Sequence, residues 1–318
     1  MRVAVVGAGG LGGYFGARLA HAGEDVHFLA RGAHLAAMRE GGLRIRSVLG
    51  DFALTPAKTN ATEDPADIGP SQVVLFTVKS YDTETAAASL PSLLGPQTAV
   101  ISLQNGIDNE EKLAGRIGWE HVAGGVAYIF AGIAEPGVVR HTGGPARILF
   151  GEMDGRRTAR LEAFLAACER AAIDAALIPD IRVALWTKYA FICAQASLTA
   201  ATRQPIGAVR ETPPTWDLFR QVLAEAASVA RSEHVPLPED IVDRQLAMAQ
   251  DLEPILYSSL YNDLIAGRRM ELEALLGELV HRAERAAVFA PAISALYAVL
   301  LPQANALEAT LQRRSPGA

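Results

Sequence analysis

Cysteine is almost absent from this 318-residue sequence, which holds only Cys168 and Cys193 and no CxxC pair. That excludes a disulfide framework and makes a reducing, cytoplasmic setting the expectation. Positive charge is scarce: 29 Lys and Arg against 35 Asp and Glu give a net charge of −6, with no basic block. Nucleic-acid phosphates need clustered cations, so that class of partner is excluded. Long apolar runs are missing as well. The apolar run before Gly7 is only four residues long, 3–6, too short for a signal-peptide core. The uncharged stretch 286–307 is broken by Pro291 and Pro302, and the apolar stretch 183–202 carries Lys188, so neither reads as a membrane span. The seven histidines show no HxxxH or HExxH spacing, and no G-x-S-x-G elbow or Cys–His constellation occurs, so no metal is expected.

What is present describes a globular chain: 50% of residues are apolar and 20% charged. At ~150 residues per domain, the length favours two domains. The first half alternates short β-branched runs at 3–6, 26–29, 73–78 and 98–102 with helix-like segments at 11–22, 33–39, 83–90 and 109–116. Unbroken apolar runs suit strands buried on both faces, and strand–helix alternation implies a parallel, doubly wound sheet. Residues 41–55 read as an extended insertion, and 122–130, 138–141 and 148–150 as further strands. After Pro179 strand signals vanish, and helical periodicity marks 181–202, 216–233, 239–249, 270–287 and 292–312, with proline as punctuation. The fold class expected is therefore α/β, with a doubly wound N-terminal domain over 1–178 and an all-helical domain over 179–318.

The sharpest motif is Gly7-Ala8-Gly9-Gly10-Leu11-Gly12. It fits G-x-G-x-x-G and sits between a strand and a helix, the context that gives the pattern meaning. Gly7 permits the tight turn, Gly9 lets the backbone approach a pyrophosphate at the helix N-terminus, and Gly12 lets helix and strand pack closely. The second strand ends Phe28-Leu29-Ala30-Arg31. It lacks the acid that accepts from an NAD ribose, and its arginine suits the 2′-phosphate of NADP. Lys79 and Asn105 follow the strands at 73–78 and 98–102, where doubly wound sheets bind ligands; a solvated lysine and an Asn-Gly turn explain them equally well. Lys188 is the only charged residue in 183–202 and is flanked by Trp186, Tyr189 and Phe191. It either snorkels to water or has its pKa lowered by burial toward that of a general acid. Ser258, Ser259, Glu271 and Glu273, taken alone, read as helix caps and first-turn acids.

Thr77-Val78-Lys79, Gln104-Asn105-Gly106, Trp186-Thr187-Lys188, Ser258-Ser259-Leu260, Asp263 and Glu271, together with the glycine motif, resemble the ketopantoate reductase family over nearly the whole chain. The resemblance implies a Rossmann-type domain and NADPH-dependent reduction of a 2-oxo acid, 2-dehydropantoate in the namesake enzyme, on the route to pantothenate. It implies that Lys188 is the general acid and carbonyl-polarising group and that Glu271 is the acidic residue that holds the substrate hydroxyl and the cofactor side in place. Lys79 and Asn105 would line the nicotinamide end, and Ser259 would contact the substrate carboxylate. The active site is expected in the interdomain cleft, with a small 2-oxo acid as partner and at most a second copy of the chain, a homodimer.

The sequence departs from the family at three positions. The family helix usually carries asparagines four and eight residues after its lysine, and another three before the second serine. Ile192, Ala196 and Leu256 stand there. They are expected to line the substrate end, and losing amides there redirects choice toward more apolar 2-oxo acids or ketones. A non-catalytic NADP-binding sensor is the rival from another class.

Overall fold

The structure, a computed structural model, describes residues 1–314. It divides into two compact units, one of residues 1–104 and 108–184 and the other of 105–107 and 185 onward. The change of pattern at 179 coincides with the start of a helix, and the boundary between the units falls within the first turn of that helix.

The first unit contains β1 (Arg2–Val6), α1 (Gly10–His21), β2 (Asp25–Leu29), α2 (Gly32–Gly41), β3 (Leu43–Ser47), β4 (Phe52–Leu54), β5 (Asn60–Thr62), β6 (Val73–Phe76), α3 (Thr83–Ala87), β7 (Ala99–Ser102), α4 (Asn109–Ile117), β8 (Val122–Glu135), β9 (Val138–Glu152), α5 (Ala159–Arg170) and β10 (Asp174–Leu177). Among the described residues these ten strands form one sheet, ordered β4-β3-β9-β8-β7-β6-β1-β2-β5, with β10 also on β9. The neighbours from β5 through β2, β1, β6 and β7 to β8 are all parallel. Side chains alternate across a strand, so β1 feeds both faces: Val3 and Val5 join one buried cluster with Phe15 and Phe28, while Ala4 and Val6 join another with Phe76 and Leu113.

Beyond this parallel core the sheet is mixed. β8 and β9 pair antiparallel, as do β3 and β4. The two short strands expected at 138–141 and 148–150 are one strand, β9, whose middle is a polar, glycine-containing stretch. Pairing with β8 carries it through, with bulges at Tyr128, Phe130 and Ile133 absorbing the irregularity. α5, β5 and β10 lie outside the sequence expectation. α5 spans 12 residues and buries Leu161, Phe164, Ala167 and Cys168 at helical spacing, a stripe that sequence reasoning passed over, while β5 and β10 are only partly buried.

The second unit holds α6 (Ile181–Thr202) from Leu185 on, then α7 (Ile206–Glu211), α8 (Pro213–Ser232), α9 (Ile241–Asp251), α10 (Ser259–Ile265), α11 (Glu278–Arg285) and α12 (Pro291–Arg314). The Pro213-Pro214 pair opens α8 rather than separating it from its neighbour, because proline fits the first helical positions, whose N–H groups need no partner. Glu225 of α8 is buried, and its carboxylate accepts from the N–H groups of Ala292 and Ile293, which start α12. Arg282 of α11 is also buried, bridging Glu233 and Glu278 at 2.8 and 2.7 Å. A π-helical turn, Glu273–Gly277, precedes α11. Tyr189 of α6 donates its hydroxyl to the Leu275 carbonyl inside that turn.

Candidate functional site

In the first unit, the loop from β1 into α1 follows from its glycines. Gly7 takes φ +97°, a left-handed conformation that side chains disfavour, and a Cβ there would meet the Val78 nitrogen at 2.8 Å. At Gly12 a Cβ would collide with Thr77 Oγ1 and the Gly7 carbonyl. Thr77 itself donates to the Gly7 carbonyl at 2.7 Å, so the loop is tied to the end of β6. Gly10 is needed for packing: a Cβ there would strike the Ala131 backbone of β8. Gly9 differs from these. It is the N-cap of α1, makes no side-chain cap bond, and has open space where a Cβ would point. The first N–H groups of α1 are thus left uncapped by a side chain beside a clear approach, which fits a pyrophosphate at a helix N-terminus. Ala8 is buried and Leu11 half-buried.

Arg31 is the N-cap residue of α2, and its side chain is 83% exposed, with Nη2 3.0 Å from Asp82 Oδ2. Lys79 is exposed just beyond β6. Gln104 is buried and donates to the Val78 carbonyl at 2.9 Å and to Thr83 Oγ1 at 2.8 Å, fixing the segment that leads to Lys79. His34 is a residue that sequence reasoning missed. Its Nδ1 accepts from the Gly137 N–H at 3.1 Å, and burial lowers its pKa against a partial offset from the Ala8 backbone. A lone histidine on a surface helix carries no periodic or motif signal.

In the second unit, α6 presents Lys188 between buried Trp186 and Tyr189. The Lys188 ammonium donates to Asn105 Oδ1 at 2.8 Å, so a residue 83 positions away in sequence shares its site. Desolvation lowers the Lys188 pKa to about 8, and the negative charge of Glu271 holds it from falling further. Glu271 is itself 6% exposed. Two opposing effects, burial and a nearby carboxylate, therefore leave a lysine that is mostly protonated near neutrality and poised to give its proton up.

Ile192 is half-buried and Ala196 buried on α6; at four and eight residues beyond Lys188 they stay near its face of the helix. Leu256 is half-buried, and its carbonyl accepts from the Ile206 N–H at 2.9 Å. Ser258 is buried and caps α10, accepting from the Tyr261 N–H at 3.1 Å, while Ser259 begins the helix and is exposed. Glu273 accepts from the Tyr297 hydroxyl at 2.6 Å, which leaves it a structural partner of α12. Neither cysteine is a nucleophile: burial pushes the Cys168 thiol up to about 12 and raises that of Cys193. Among the described residues no cluster of His, Cys, Asp and Glu could hold a metal ion, and no helix is long and apolar enough to cross a membrane.

Comparison with known proteins bears on the whole chain. Residues 3–155 match the family described as Ketopantoate reductase PanE/ApbA, and residues 180–303 match its C-terminal counterpart. A 2-dehydropantoate 2-reductase of Halobacterium salinarum is 32% identical over 300 residues, 93% of this chain and 96% of that protein. A crystal structure of a PanE/ApbA family ketopantoate reductase from Ralstonia eutropha superposes with a TM-score of 0.88 at 32% identity, covering 97% of this chain and 100% of that one. D-mandelate dehydrogenase, solved with NADH and anilino(oxo)acetate, shares the fold at TM-score 0.87 and 19% identity, covering 97% of this chain and 99% of that one.

Proposed function

Because this chain belongs to the ketopantoate reductase family and is an oxidoreductase of the 2-dehydropantoate 2-reductase type, we propose that it reduces a 2-oxo acid with NADPH. The first-choice substrate is 2-dehydropantoate, giving pantoate for pantothenate biosynthesis in the cytoplasm. The observation that carries the reading is Lys188: an ammonium whose pKa burial lowers to about 8, bonded to Asn105 and balanced by Glu271.

When bound, the reduced nicotinamide supplies a hydride to the keto carbon. Lys188 places its N–H on the keto oxygen, stabilises the charge that develops there, and gives it the proton that completes the 2-hydroxy acid. Asn105 aims the ammonium through its 2.8 Å bond. Glu271 keeps Lys188 charged until the proton moves, and solvent then restores it. Gly7, Ala8, Gly9, Gly10, Leu11 and Gly12 form the pyrophosphate loop, Arg31 takes the 2′-phosphate, and Lys79 serves the nicotinamide end. The Arg31–Asp82 pair is exposed, so it contributes little and a phosphate displaces it readily. Ser259 contacts the substrate carboxylate, and Ile192, Ala196 and Leu256 line the substrate end. A homodimer is the assembly we assign; a ketopantoate reductase from Staphylococcus aureus is described as dimeric.

A second reading, a more apolar 2-oxo acid, is favoured by the aliphatic side chains of Ile192, Ala196 and Leu256. A non-catalytic sensor is not retained, since the family and its relatives are oxidoreductases. Nicotinamide absorbance, followed with NADPH or NADH and a panel of 2-oxo acids, decides among substrates. NADPH consumption with 2-dehydropantoate supports the reading, and consumption with none of the panel refutes it.

A further inference from the structure

Gln195 of α6 is 6% exposed, and its Nε2 has no hydrogen-bond partner. A buried amide donor without a partner is costly, and native proteins rarely keep one without a use. Its own surroundings on the helix do not supply a partner. Ile192 and Ala196 are apolar. The Thr199 hydroxyl is engaged, donating to the Gln195 backbone carbonyl at 2.7 Å and standing 2.7 Å from Ser258 Oγ.

Helix geometry gives the direction. Seven residues separate Gln195 from Lys188, about 20° around the axis and about 10 Å along it, so the two share one face. A helical side chain leans back over the turn before its own Cα, which brings the Gln195 amide toward the level of Ile192 and toward Lys188.

We propose that Gln195 is a specificity-determining residue whose amide binds a hydroxyl on the side chain of the 2-oxo acid that Lys188 protonates. The inference rests on the 2-oxo acid reductase reading above. A hydroxyl both donates and accepts, so it satisfies a glutamine amide from either end. Ile192 and Ala196 beside it suit the apolar carbons between keto group and hydroxyl. Gln195 therefore favours a 2-oxo acid that carries a side-chain hydroxyl over an all-apolar one.

The test compares 2-dehydropantoate with its deoxy analogue, 3,3-dimethyl-2-oxobutanoate, in the parent enzyme, Gln195→Met and Gln195→Leu. The parent should favour the hydroxylated acid in kcat/KM by at least about tenfold. Both variants should lose roughly 10- to 100-fold on the hydroxylated acid and little on the analogue, so the ratio collapses. A structural defect would lower both substrates together and leave the ratio intact; that result overturns the proposal. Equal kcat/KM for the two acids in the parent also overturns it, whether or not a variant folds. If the parent reduces both acids, the underlying reading stands even when Gln195 fails; if it reduces neither, that reading falls and takes this one with it.

Discussion

The titration of Lys188 gives the mechanism a signature that is independent of substrate identity. With its pKa at about 8, Lys188 is about nine-tenths protonated at pH 7 and about one-tenth at pH 9, against nearly full protonation at both for an unperturbed lysine. In the proposed mechanism, reduction needs the charged form. The kcat/KM for keto-acid reduction should therefore be flat below neutrality and fall about tenfold between pH 7 and 9. Oxidation of the hydroxy acid needs the neutral form and should rise through the same interval. The substrate carboxylate is ionised throughout, so it adds no limb. Glu271 raises the Lys188 pKa, so Glu271→Gln removes that support and should move the falling limb to lower pH. Stopped-flow hydride transfer in mixed buffers of constant ionic strength measures this. A reduction rate unchanged from pH 7 to 9.5, or a limb that Glu271→Gln leaves in place, would refute Lys188 as the proton donor.

Arg31→Ala should weaken NADPH by roughly 10- to 100-fold while leaving NADH nearly unchanged, because a charge-assisted phosphate bond is lost; titration of protein fluorescence reads both constants. Restoring amides in Ile192→Asn/Ala196→Asn should raise kcat/KM for polar 2-oxo acids over apolar ones, and a parent that already prefers 2-dehydropantoate by ~10³ without further gain would make those positions neutral. Glu225→Ala leaves the Ala292 and Ile293 N–H groups unpaired and should destabilise the fold by about 1–3 kcal/mol, seen as a lower melting temperature.

How much of this is legible in the sequence depends on the range over which each signal acts. β1 and β7 are readable as unbroken apolar runs, β2 and α1 follow from their place in the strand–helix alternation, and α6 appears with its bounds intact because it is long and flanked by breakers. β9 is not, since its two apolar ends are joined by a polar middle that becomes strand only by pairing with β8. The glycine motif is readable as local backbone chemistry, but the clash of a Gly10 side chain with Ala131 depends on a strand 121 residues on. Lys188 stands out as one charge in an apolar helix. Its bond to Asn105 reaches back 83 positions to a residue that no periodicity connects with it, and the unpartnered Gln195 amide is a property of packing alone.

The most direct test of the central claim is steady-state reduction of 2-dehydropantoate by NADPH in the parent enzyme and in Lys188→Ala. Turnover in the variant should fall by ~10²–10⁴, the usual contribution of a positioned acid, with the dissociation constant for NADPH little changed. A variant that turns over as fast as the parent would contradict the account, leaving Lys188 as a lysine that merely reaches solvent along an apolar helix.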